Sequence, residues 1–148
     1  MTSIRRGAWV VALLLAAVRV APAQRNPQLN ATLERVGDAE GDSLVAYRVA
    51  ISMDKGWHIG APRPGVTGLP TEILWRLPDG WTVVHERWPA PQRERVGRDT
   101  AFTYSESLTV LAQMKPMGKA RRPIQALLTY GICREVCVPG RVLLTSDR

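Results

Sequence analysis

The chain has 148 residues, enough for one domain, and a formal net charge of +7 at neutral pH. Such a charge invites a nucleic-acid reading, but the basic residues are spread along the chain and form no stripe, so no nucleic-acid partner is expected. The longest apolar run has 11 residues, well short of the roughly 20 that cross a bilayer.

That run, "AWVVALLLAAV" (8–18), follows Arg5 and Arg6 and precedes "RVAPA", with the small residues Ala21 and Ala23 where a signal peptidase reads. Positive start, apolar centre and small-residue exit mark a secretory signal peptide over residues 1–23, with the mature domain over 24–148. The competing reading is an uncleaved anchor, and Arg19 inside the segment weighs against it. No cysteine lies near the cleavage point, so there is no lipid-attachment signal. The mature chain is expected not to span a membrane.

Beyond the signal, helix patterns are almost absent and period-2 alternation dominates. "LNATLERV" (29–36) reads as a short strand, and its Asn30-Ala31-Thr32 sequon would be idle in a bacterium. In "LVAYRVAIS" (44–52), Val45, Tyr47, Val49 and Ile51 share a face. "GWHIGAPRPGVTGLP" (56–70) breaks the pattern, and its prolines cannot donate to a central ladder, so a long loop or an edge strand is expected. "TEILWRL" (71–77) alternates again through Ile73, Trp75 and Leu77. A second irregular stretch, "RWPAPQRERVGRDTAF" (87–102), is expected to be loop or edge strand as well. "LTVLAQM" (108–114), "IQALLTYGI" (124–132) and "RVLLTS" (141–146) complete the series. Turn sequences at 37–42, 53–56, 77–80 and 114–123 separate these runs. Short strands at this spacing point to an all-β fold, an antiparallel β-sandwich of immunoglobulin-like type.

The only cysteines, Cys133 and Cys137, lie in "GICREVCVPG" (131–140). Four residues of extended strand cover about 13 Å, whereas a disulfide needs Cα atoms about 5.5 Å apart. The chain must therefore reverse between them, and a hairpin bending at Arg134-Glu135-Val136 would set the two face to face. Exported proteins meet an oxidising compartment, where two cysteines normally pair. Such a bond closes a very short loop and constrains the unfolded chain little. Three readings stand on these grounds: a working redox pair, a structural hairpin disulfide in a binding or accessory module, and a metal site.

Metal is the weakest of the three. Four zinc ligands would require His58 and His85 beside the cysteines, and no paired-histidine spacing is present. Met114 and Met117 would suit Cu(I), but one reads as core and the other as loop. His58, after Trp57, reads as packed, and His85, in "WTVVHERW", as exposed. Trp57, Trp75, Trp81 and Trp88 read as core. Ser105 and Ser107 lack a nucleophile elbow. No cofactor is expected.

Taken in order, "GWHIGAPRPGVTGLPTEILWRLPDGW", "RWPAP" and "CREVCVP" resemble a known family. It is the periplasmic amino-terminal domain of the bacterial thiol–disulfide interchange protein DsbD, in the branch that includes the copper-sensitivity suppressor ScsB. The resemblance covers about residues 28–146. It implies an immunoglobulin-like sandwich with its cysteine pair on a hairpin, a periplasmic location, and Cys133 and Cys137 as the redox pair. It also implies electron transfer from a membrane electron carrier to exported thiol and disulfide proteins. Tyr104 matches an aromatic near the start of the following strand. Better-known members space their cysteines more widely than the three residues here. They shield the pair with a loop of acidic and aromatic residues, whereas the corresponding stretch, about 92–100, has no aromatic. With the chain read to Arg148, the electron donor is expected to be a separate polypeptide.

If the signal reading is correct, the exported protein begins at or near Gln24. Intact-mass analysis of a periplasmic fraction checks this, and recovery of the full-length chain from the cytoplasm would exclude it.

Overall fold

The structure, a computed structural model, describes residues 27–39, 44–66, 68–117 and 123–146. The expected signal peptide, residues 1–23, lies outside the described residues. Among the described residues, no helix is long and apolar enough to cross a membrane.

The chain runs through β1 (Leu29–Ala39), β2 (Leu44–Met53), β3 (His58–Gly65), β4 (Glu72–Arg76) and β5 (Thr82–Arg87). It continues through β6 (Gln92–Val96), β7 (Asp99–Ser105), β8 (Ser107–Lys115), β9 (Gln125–Cys133) and β10 (Cys137–Thr145). One sheet has the order β1-β2-β8-β5, and the other has β10-β9-β3-β7-β6 with β4 also paired to β9. Each pairing is antiparallel. The two sheets form the immunoglobulin-like sandwich that the alternating runs predict.

The alternation chooses the core. Val45, Tyr47, Val49, Ile51 and Met53 of β2 are buried, as are Leu108, Val110, Ala112 and Met114 of β8. From the opposite sheet Ala126, Leu128, Tyr130 and Ile132 of β9 meet them, with Ile59 of β3 and Tyr104 of β7. Burying each large aliphatic side chain stabilises the fold by about 1.5–3 kcal/mol. Trp57, Trp75, Trp81 and Trp88 are partly buried and pack against this cluster.

β3 departs from the sequence expectation. It is neither a loop nor an edge strand, because at its start it lies between β9 and β7. The prolines are accommodated because regular pairing does not pass through them. His58 and Ile59 pair with β9, and His58 to Gly60 pair with β7. The register then shifts between Gly60 and Gly65, and Pro62 and Pro64 fall inside that irregular stretch. A bulged segment needs no ladder donor at those positions. The second irregular stretch contains β6, a true edge strand with every residue exposed, which turns through Gly97 at φ 63° into β7.

The connection from β3 to β4 lies across the sheet at two glycines. A Cβ on residue 60 would run into the Leu69 carbonyl oxygen, and one on residue 131 would lie 2.7 Å from Leu69 Cβ. Gly60→Ala must therefore displace backbone. It is expected to cost about 1–3 kcal/mol, whereas Glu72→Ala, at an exposed position on β4, should stay within about 0.5 kcal/mol. Urea unfolding of both variants measures the difference; equal midpoints would show that Leu69 does not hold that crossing.

Candidate functional site: the cysteine hairpin

Cys133 ends β9, Cys137 begins β10, and the two are partners in the β9–β10 register. Their Cα atoms are 4.0 Å apart and their sulfurs are bonded. Arg134, Glu135 and Val136 form the bend and are all exposed. The Arg134 amide donates across it to the Val136 carbonyl at 3.2 Å. This is the reversal that the cysteine spacing demands.

The two sulfur residues have unlike surroundings. Cys133 is 3% exposed, whereas Cys137 is exposed. The difference follows from sheet order: β10 is an outer strand and β9 is covered on both edges. Cys133 Sγ lies 3.7 Å from the Gly131 carbonyl oxygen. In the disulfide that sulfur carries no hydrogen, so this is a contact; a reduced thiol there would have an acceptor at hand.

Register also fixes which way the pair points. Ile132 faces Ile59, and both are fully buried in the core. Successive side chains alternate, so Cys133 and its cross-strand neighbour His58 point to the outer side of the sheet. Gly131 and Gly60 belong to the same side, and Leu69 packs on them there. Thus the segment covering the sheet beside Cys133 is the "GLP" of the β3–β4 connection. The turn of the stretch 92–100 is placed differently. β7 reaches the disulfide end at Ser105, which pairs with His58, so the β6–β7 turn lies at the far end of β7. Six residues of strand separate the two ends by about 20 Å.

The row next to the cysteine pair is polar. Ser105 pairs with His58 from the β7 side and donates its hydroxyl to Gln92 Oε1 at 2.9 Å. Gln92 is held by the linker before it. Tyr104 donates its hydroxyl to the Pro89 carbonyl at 2.8 Å, and its ring stacks on Trp88 at 6.2 Å between centroids. Glu86 of β5 accepts the indole hydrogens of Trp75 at 2.6 Å and Trp88 at 2.7 Å, which ties β5 to β4 of the other sheet. Burial raises the Tyr104 phenol above its ordinary pKa. Tyr104 lies near the end of β7 rather than near the start of a strand, and its role is to anchor this linker.

The remaining candidates do not converge. His85 is exposed on β5, in the opposite sheet. Met114 is fully buried in the core, and Met117 is 68% exposed. Among the described residues, no group of three or more His, Cys, Asp or Glu side chains is placed to hold a metal ion. What the sequence did not expose is the pairing of His58 with Cys133. The two are 75 residues apart, and alternation along one strand does not name its partner across the sheet.

Fold and site together define an immunoglobulin-like β-sandwich with a disulfide across the end of one hairpin. The chain belongs to the amino-terminal domain family of the thiol:disulfide interchange protein DsbD, whose family model matches residues 25–147. The amino-terminal periplasmic domain of ScsB from Proteus mirabilis is similar, with a TM-score of 0.57 and 19% identity over 84% of this chain. This chain spans about half, 49%, of the length of that one. The reduced DsbD amino-terminal domain from Neisseria meningitidis is similar, with a TM-score of 0.50 and 13% identity over 78% of this chain and 82% of that chain. At these identities the likeness is one of fold. A search of curated proteins finds no match.

The disulfide closes a ring of five residues, for which chain entropy gives about 2 kcal/mol at most. Replacing both cysteines by serine should therefore lower unfolding free energy by about 0–2 kcal/mol and leave the sandwich folded. Circular dichroism with urea titration tests this, and a double variant unable to fold would mark the bond as a structural staple.

Proposed function

We infer that the chain is an exported domain, released from its signal after Ala23, that exchanges disulfides with periplasmic thiol proteins through Cys133 and Cys137. Membership in a thiol:disulfide interchange family supports this reading. The observation that carries it is the unequal exposure of the two sulfur residues at the tip of a hairpin. A thiolate displaces one sulfur of a disulfide by approaching the sulfur it can reach. Cys137 is the reachable one, and Cys133 is the leaving group.

In the accepting direction, a partner thiolate attacks Cys137 Sγ and a new S–S bond forms to the partner. The Cys133–Cys137 bond breaks, and its electron pair leaves on Cys133 Sγ. The partner's second thiol then displaces Cys137. The partner ends as a disulfide and this domain as a dithiol, with two electrons transferred. In the donating direction the steps reverse, and Cys133 resolves the mixed disulfide. The partners on this reading are exported thiol and disulfide proteins and a membrane electron carrier. Sulfur carries the electrons, so exchange itself requires no cofactor.

A staple would lie poorly here, because β9 and β10 are already paired from Cys133–Cys137 down to Gln125–Thr145. Cys133→Ser leaves the exposed sulfur and should trap a discrete mixed disulfide with an exported partner. Cys137→Ser leaves the buried one and should trap little. Non-reducing gels of periplasmic extracts, with reduced controls, read both outcomes. Absence of a reductant-sensitive adduct from either variant would favour the binding-module reading, and loss of bound copper without trapping would favour a copper protein.

A further inference from the structure

We propose that His58 is the proton partner of Cys133, supplying a proton to that sulfur when the disulfide opens and removing it when the disulfide re-forms. The proposal rests on the exchange reading above and adds a residue to it.

Three observations carry it. His58 is the register partner of Cys133, and facing residues of an antiparallel pair share a side with Cβ atoms about 4.5–5.5 Å apart. That distance puts an imidazole within reach of the sulfur. His58 is half-buried, and its imidazole makes no hydrogen bond or ion pair with any described residue. It is therefore not committed to a structural bond. Finally, Cys133 is 3% exposed, and burial penalises a thiolate. The sulfur that must leave with the electron pair is the one water solvates least. Imidazole is the side chain that ordinarily exchanges a proton near neutral pH.

The chemistry balances within the pair. As the Cys133–Cys137 bond breaks, the electron pair goes to Cys133 Sγ and the imidazolium proton follows it. The neutral imidazole regains a proton from solvent, and the new thiol has the Gly131 carbonyl as acceptor. In reverse, neutral His58 takes the Cys133 proton, and the thiolate displaces the partner from Cys137.

Other charged groups belong to the surrounding elements. Arg134 and Glu135 come from the hairpin bend, Asp54 and Lys55 from the β2–β3 turn, Glu106 from the β7–β8 connection, and Glu94 from β6. A Cβ on Gly56 would lie 3.8 Å from Arg134 Nε, which places that guanidinium over the β2–β3 turn. Glu94 accepts from the Thr103 hydroxyl at 3.3 Å. Of the groups that face Cys133 in register from β3 and β10, His58 is the one with an ionisable side chain while the disulfide is closed.

The test is reduction of the wild-type disulfide by dithiothreitol from pH 5.5 to 8.5, with each rate divided by the reductant's thiolate fraction. The normalised rate should fall by roughly tenfold or more as the imidazole loses its proton. His58→Gln should remove the dependence and be slow throughout, with the Cys133–Cys137 bond intact by mass and melting unchanged. His85→Gln should retain the wild-type profile. A flat wild-type profile overturns the proposal whether or not His58→Gln folds, and so does a folded His58→Gln with the wild-type profile. Neither result touches the trapping by Cys133→Ser, so exchange can stand without His58. A disulfide that dithiothreitol does not open at any pH overturns both readings.

Discussion

A bond between residues four apart requires the backbone to double back within three residues, and the β9–β10 ladder runs on from that reversal. Nine register pairs run from Cys137–Cys133 to Thr145–Gln125. Leu128 and Ile132 on one strand and Leu144 on the other are buried in the core. None of these contacts runs through the sulfurs, so opening the disulfide is expected to leave the sheet in place. The same ladder separates the two cysteines chemically. Lying on the outer strand, Cys137 meets solvent, while Cys133 on the inner strand is covered. That asymmetry suits the proposed exchange reaction, which needs one sulfur to be attacked and the other to leave.

The cover over the outer side of that sheet explains an otherwise odd run of residues. "HIGAPRPG" must begin as a paired strand beside β9 and then let the chain cross back. Gly60 and Gly131 lack the Cβ atoms that would collide with Leu69, and the prolines lie where the ladder has already slipped. Glu106, at φ 62°, turns β7 into β8 of the other sheet and accepts the Met53 amide at 2.7 Å. The linker from β5 to β6 is fixed by Tyr104 and the two indoles on Glu86. Three crossings thus meet the end or the outer side of one sheet, and they define the row Cys133, His58, Ser105 and Gln92.

Much of the sandwich was legible because its strands have one wet and one dry face. Val45 to Ile51 and Leu108 to Met114 announce themselves by period, and the cysteine spacing demands the hairpin. β6 was legible only as loop or edge strand, because all five of its residues are exposed and it offers no apolar period. β3 was misplaced because proline forbids a ladder donor locally, yet a register shift removes the need for one. His58 read as a packed histidine, since nothing local reveals which strand β3 will join. Leu69 as the cover beside Cys133 was equally hidden, because the two glycines it needs lie 71 positions apart.

Burial and reactivity pull against each other at Cys133, and the fold resolves the conflict by position rather than by charge. A buried thiolate is costly, so an inner-strand sulfur is a poor nucleophile and, without help, a poor leaving group. Moving it to the surface would ease departure but would give an incoming thiolate two equivalent targets. On the proposed exchange reading, keeping it buried leaves a single point of attack at Cys137 and shifts the burden to proton supply. Two neighbours fixed by the sheet would meet that burden on the proposed reading: the Gly131 carbonyl two residues back on β9, which can accept from a thiol, and the imidazole opposite on β3, which bonds to no described residue. Both are set by strand register, so the groups proposed to open the bond are positioned by the same ladders that hold the sandwich together.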